Sequence, residues 1–150
     1  LEVEEAIACL KGEGPGDLAT LTCDLIGDPR ARDVLASGAA YERFVRMVHA
    51  QGGDLEQSLM GGGCLDQPVL ATRSGTVTSA DAYLIGRAAF VLGAGRERAD
   101  QKVHPGVGIM IHKKVGDWVD TSEPLVTMRV AEQNVVHAEE LIRSAYSIDG

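Results

Sequence analysis

The sequence predicts a mixed α/β chain of the α+β type, with a helical stretch followed by a compact α+β unit. Three observations carry that reading. Apolar residues recur at helical spacing through the first third of the chain, as far as His49. A polar, Gly-rich stretch from Asp54 to Pro68, containing Gly61-Gly62-Gly63, then interrupts the pattern. Beyond it the apolar runs are short and bounded by turn residues, until a helical stripe returns near the end. The expected division is a helical part over residues 1–60 and an α+β domain over 61–150.

Taken in order, Leu1, Val3, Ala6, Ile7 and Leu10 give a partial helical stripe. Lys11-Gly-Glu-Gly-Pro-Gly16 ends it, because Gly and Pro both oppose continuation. Asp17 is a good N-cap for a short helix through Leu18 and Leu21. The next helix runs from about Pro29 to His49 on the spacing of Val34, Leu35, Tyr41, Phe44, Val45 and Val48, with Ser37-Gly38 as the place for a break. Gln51-Gly-Gly-Asp54 terminates it, with Gly52 at the left-handed cap position.

After the linker, Val69–Thr72 and Thr76–Ser79 read as short strands around the turn Arg73-Ser-Gly75. Ser79 or Asp81 caps a helix through Leu84, Ile85, Ala88, Ala89, Val91 and Leu92, and Gly93-Ala-Gly95 stops it. Val107–Ile111 is an apolar strand, Val115-Gly-Asp117 turns into Trp118-Val119, and Leu125–Val130 is another strand. Ala131–Tyr146 closes as a helix, with Val135, Ala138, Leu141, Ile142 and Ala145 on one stripe.

Bulk properties exclude several classes of function. With 150 residues and 45% hydrophobic composition the chain can bury a core, and with 4% aromatics that core is aliphatic and Ala-rich. A net charge of −8 argues against nonspecific nucleic acid or anionic membrane as partners, because phosphate reward clustered Lys and Arg. Cys9, Cys23 and Cys64 are widely spaced without a CxxC, and read as free thiols in a reducing, cytoplasmic compartment. No apolar run approaches the roughly 20 residues of a membrane span. No signal peptide is legible, and the first residue is Leu1 inside a helical pattern, so the expectation is part of a longer chain.

Motifs for chemistry are sparse. Gly93-Ala-Gly-Arg96 closes a helix instead of opening one, and no GK[ST] follows, so it reads as a cap rather than a phosphate loop. His49, His104, His112 and His137 form no HxH, HExxH or Cys/His pattern that would suggest a metal. Cys64, beside three glycines, reads as flexible and exposed. Lys113 and Lys114 read as a small anion patch or, more commonly, as a solvated edge.

The order of several segments carries more than any one of them. Leu1-Glu-Val-Glu-Glu-Ala-Ile7, Gly12-Glu-Gly-Pro-Gly-Asp-Leu18, Leu35-Ala-Ser-Gly38, Phe44 through Asp54, Ser74-Gly-Thr-Val77, Leu92-Gly-Ala-Gly-Arg96, Val107–Val119 and Glu123-Pro-Leu125 follow one another in register. In that order they resemble the C-terminal part of the thymidine phosphorylase and pyrimidine-nucleoside phosphorylase family. The chain departs from the family by being shorter between Thr22 and Pro29, and atypical from Asp54 to Pro68.

The resemblance implies a C-terminal, hammerhead-like α/β lobe of an enzyme with a small all-α lobe and a large α/β lobe. It implies reversible phosphorolysis of thymidine to thymine and 2-deoxyribose 1-phosphate, with inorganic phosphate as co-substrate and no organic cofactor. The family's phosphate loop and base-binding residues precede the segment matched here, so the resemblance implies no catalytic and no substrate-binding residue within 1–150. It implies a homodimer formed through the all-α lobe. Glu5 falls on the second acidic residue of the family's Leu-Glu-Val-x-Glu motif, a ligand of a monovalent cation in bacterial members. The segment Val115–Leu125 also resembles the strand pattern of biotinyl and lipoyl carrier domains, but lacks their Ala-Met-Lys-Met hairpin. The competing expectation is therefore a carrier or structural module without nucleoside activity.

Overall fold

The computed structural model describes residues 1–55, 63–96, 98, 100, 103–131 and 134–150. The chain divides into two units, Leu1–Leu59 and Met60–Gly150. Gly61 and Gly62 of the predicted linker lie outside the described residues.

The first unit is helical among its described residues: α1 (Glu2–Leu10), α2 (Gly16–Ile26), α3 (Ala31–Ala36) and α4 (Ala39–Ala50). The predicted break within the long third helix lies at Gly38, whose φ of 77° suits glycine and separates α3 from α4. Gly52 takes the left-handed conformation predicted for it, at φ 77°. Both boundaries of α2 differ from expectation. Pro15, not Asp17, is the N-cap of α2, and Asp17 lies in the first turn. There its carboxylate meets the positive end of the helix dipole, Oδ1 standing 3.0 Å from the Leu18 amide. α2 also continues past Leu21 to Ile26 before Gly27 closes it in the left-handed region. Lys11 sets its Nζ 4.8 Å from the centre of the Tyr41 ring, a cation–π contact between the end of α1 and α4.

Among its described residues the second unit holds two antiparallel three-stranded sheets and two α-helices. The first sheet has the order β1 (Leu65–Leu70), β5 (Pro124–Val130), β3 (Gly108–Ile111); the second has β4 (Trp118–Val119), β2 (Gly75–Ala80), β6 (Tyr146–Asp149). α5 (Ala82–Ala89) runs into a π-type turn over Phe90–Ala94, and α6 (Val135–Ala145) packs against α5. β5 is the central strand of its sheet, and its sequence Val-Thr-Met-Arg-Val explains its two faces. Val126, Met128 and Val130 are buried, while Thr127 and Arg129 alternate outward. Val69, Val77, Val119, Ile142 and Ile148 join them in one aliphatic cluster with Ala88, Ala138 and Ala145.

Two predicted elements change. The strand expected at Val69–Thr72 occupies Leu65–Leu70, because Leu65 to Val69 pair residue by residue with Val130 to Val126. Pro68 is tolerated there because β1 is an edge strand. The turn Arg73-Ser-Gly75 therefore joins strands of different sheets, and so does the Lys-Val-Gly-Asp turn between β3 and β4. The last helix does not reach Tyr146. It ends at Ala145, and Tyr146–Asp149 form β6 on the edge of β2, with Tyr146 and Ile148 inward and Ser147 and Asp149 outward. Four residues are too few for a period of two to stand out beside an eleven-residue helical stripe.

Asp81, rather than Ser79, caps α5: its Oδ1 accepts from the amides of Tyr83 at 2.9 Å and Leu84 at 3.1 Å. Gly75 marks the closest approach in the second sheet, where a Cβ would stand 2.6 Å from the Asp149 carbonyl oxygen.

Candidate functional site

A connected polar network lies on the segment from His112 to Glu123, between β3 and β5. Lys113 reaches back across it, its Nζ donating to the Trp118 carbonyl at 3.0 Å and meeting Glu123 Oε1 at 2.7 Å. Glu123 Oε2 accepts from the Asp120 amide at 3.0 Å, and Asp120 Oδ1 accepts from the Trp118 indole at 3.1 Å. Asp117 Oδ2 accepts from the Lys114 amide at 2.7 Å, closing the turn at Gly116. From the far end of the chain the Tyr146 hydroxyl donates to the Lys113 carbonyl at 2.9 Å. Ser74 Oγ accepts from the Thr121 amide at 2.8 Å.

The electrostatics match that geometry. The Lys113 ammonium and then the Asp120 amide hold the Glu123 carboxyl below the usual carboxylate range. Burial, with the Asp117 charge adding to it, pushes the Tyr146 hydroxyl up. Lys113 is thus neither a free anion patch nor a solvated edge, since its side chain is 18% exposed and ion-paired. The Lys113–Glu123 pair, the Tyr146–Lys113 bond and the Ser74–Thr121 bond tie segments distant in sequence together, while Asp117 and Asp120 close local turns. The chemistry of the network is that of a fixed loop.

The remaining sequence-predicted groups stay apart. Gly93 bends out of the helical region at φ 102°, and a side chain at Gly95 would collide with the Phe90 ring. The Gly93 carbonyl accepts from the His104 amide at 3.1 Å, so the Gly-rich segment acts as a helix stop. His112 Nε2 is bonded to Thr127 Oγ1 at 2.8 Å, and exposed His137 stands 3.6 Å from Glu140. Cys64 departs from expectation. It is partly buried against the core cluster because β1 begins at the next residue, and its Sγ lies 3.9 Å from His104 Nδ1. His104 Nδ1 also accepts from the Gly106 amide at 3.3 Å, which holds the loop before β3.

Glu5 is exposed on α1. Burial comes first, then the Glu5 and Asp17 charges, in pushing the Cys9 thiol up. Among the described residues no three of His, Cys, Asp and Glu gather to hold a metal ion. One carboxylate fills a small part of a cation's coordination shell. No helix among the described residues is long and apolar enough to cross a membrane.

Sequence reasoning missed Glu123 and Tyr146 as anchors of this loop. Lys113 and Glu123 are ten positions apart, and Tyr146 is 33 from its acceptor. Such separations leave no local pattern to find.

Comparison with known proteins supplies what the geometry alone does not. Residues 76–149 match the family model described as the pyrimidine nucleoside phosphorylase C-terminal domain. The chain is 42% identical over 137 residues to a thymidine phosphorylase of Mycobacterium tuberculosis, covering 85% of this chain and 32% of that protein. It is 38% identical over 165 residues to a pyrimidine-nucleoside phosphorylase of Bacillus subtilis, covering 97% of this chain and 37% of the other. A Staphylococcus aureus pyrimidine-nucleoside phosphorylase is 34% identical over 174 residues, at 99% and 39% coverage. The chain thus spans about a third of the length of the curated relatives it matches. The last two alignments exceed the 150 residues of this chain, so those relatives carry residues within the matched region that it lacks. The described helices and antiparallel sheets agree with that domain, and residues 76–149 belong to the family of the pyrimidine nucleoside phosphorylase C-terminal domain.

Proposed function

We propose that these 150 residues are the C-terminal part of a phosphorylase that cleaves thymidine with inorganic phosphate, giving thymine and 2-deoxyribose 1-phosphate. The observation that carries the proposal is the family match over residues 76–149. Relatives named as nucleoside phosphorylases, aligned along nearly the whole chain, support it. In this reading the enzyme is a pentosyltransferase. The groups that bind phosphate and base lie in the two thirds of the relatives that this chain does not span. Its partners are a pyrimidine nucleoside, phosphate and a second copy of the complete protein, in the cytoplasm.

The loop network supports a role for such a lobe as a rigid part of the enzyme. Phosphate must be aligned with C1′ of the nucleoside while water is kept out, and small misplacements lose much of the rate. A lobe that takes part in closing a cleft has to move as a rigid body. The Lys113–Glu123 pair and the Tyr146 hydroxyl hold the two turns on either side of β4 in one conformation. Glu5 supplies one carboxylate to a monovalent-cation site whose other ligands come from outside these residues.

The test uses the complete protein containing this chain. Thymine and uracil release from thymidine and uridine are followed with and without phosphate. Phosphate-dependent thymine release is the expected result. Release that ignores phosphate, or none at all, overturns the proposal, and a mass increment on a lysine would favour the carrier reading. Thymine release by the isolated 15.9 kDa chain would overturn the assignment of the chemistry to residues outside it. Replacing Glu5 by Gln should weaken the dependence of the rate on monovalent cation; an unchanged dependence removes Glu5 from that site.

A further inference from the structure

We draw no further inference here: the strongest candidate, the open apolar groove between α1 and the C-terminal end of α4 lined by Val3, Ala6, Phe44, Val48 and Leu55, is an unpartnered helix face, and nothing in the structure shows what covers it.

Discussion

Helices α4 and α6 carry the same kind of signal and meet different fates. Both have an apolar stripe at helical spacing. α6 buries Ala138, Ile142 and Ala145 completely or nearly so, whereas α4 buries no residue. The difference extends to the two units. Cys23 is the one buried apolar residue among the described residues of the helical unit, while the α+β unit holds a continuous aliphatic cluster. What α6 has and α4 lacks is a sheet beneath it. An amphipathic pattern states which face needs covering, not whether these residues cover it.

The largest effect should come from separating the units. Residues 60–150 made alone are expected to unfold in one cooperative transition, worth about 5 kcal/mol or more. Residues 1–59 alone should give helical circular dichroism at most, with no cooperative melt by calorimetry, because isolated helices of this length are marginal without packing. A sharp transition from the helical part would break the comparison.

A matched pair of substitutions sharpens it. Ile142 is fully buried on α6 and Ile26 is 60% exposed at the end of α2. Ile142→Ala should cost about 2–5 kcal/mol by denaturant titration, the range for emptying a packed aliphatic site. Ile26→Ala should stay within about 0.5 kcal/mol in this chain. If Ile26→Ala costs several times more in the complete protein, its face is buried there by other residues.

Legibility in the sequence follows the same division. Helix starts and stops set by local chemistry could be read directly, as with Asp81, Gly38 and Gly52. So could the strand with clear alternation around Met128. Pairing could not. β1 occupies Leu65–Leu70 because of its register with β5, whose Arg129 pairs with Asp66, 63 residues earlier, and β6 exists because β2 offers it an edge. The loop network was hidden for the same reason, since Tyr146 reaches Lys113 only once both sheets are formed. Cys64 was misread because its neighbouring glycines speak for a loop, while the strand that anchors it is declared by distant partners. The family resemblance rested on ordered short segments, which need no knowledge of pairing.

Two smaller effects separate backbone fit from capping inside the α+β unit. Gly75→Ala pushes a methyl to 2.6 Å from the Asp149 carbonyl, so β2 and β6 must part. A loss of about 1–3 kcal/mol is expected, as for overpacking. Asp81→Ala removes the acceptor for two amides at the start of α5 and should cost about 1 kcal/mol. Hydrogen exchange distinguishes them: Gly75→Ala should speed exchange in β6, Asp81→Ala at Tyr83 and Leu84. Faster β6 exchange in both variants would mean that the α5 cap and the β2 edge open as one unit.

The smallest effect concerns acid. Arg129 bonds Asp66 across β1 and β5, with Nε 2.9 Å from Oδ1, and holds that carboxyl below its usual range. Lys113 and the Asp120 amide do the same for Glu123. A carboxyl with a lowered folded pKa releases its proton more readily folded than unfolded. Its contribution is therefore complete above the unfolded value of about 4 and is lost as pH falls through the lowered folded value. In the helical unit Asp28 is lowered too, by Arg30 two residues away. That pair is local enough to persist in the unfolded chain, so it should add little pH dependence. Urea midpoints measured from pH 7 down to pH 3 should fall less steeply for Asp66→Asn and Glu123→Gln than for the parent. For Asp66→Asn the loss at pH 7 should stay below about 1 kcal/mol, because the pair is partly solvated. Asp28→Asn should leave the acid limb unchanged. If Asp28→Asn flattens the limb as much as Asp66→Asn does, the long-range pairs are no more important than the local one, and acid stability ceases to distinguish the two units.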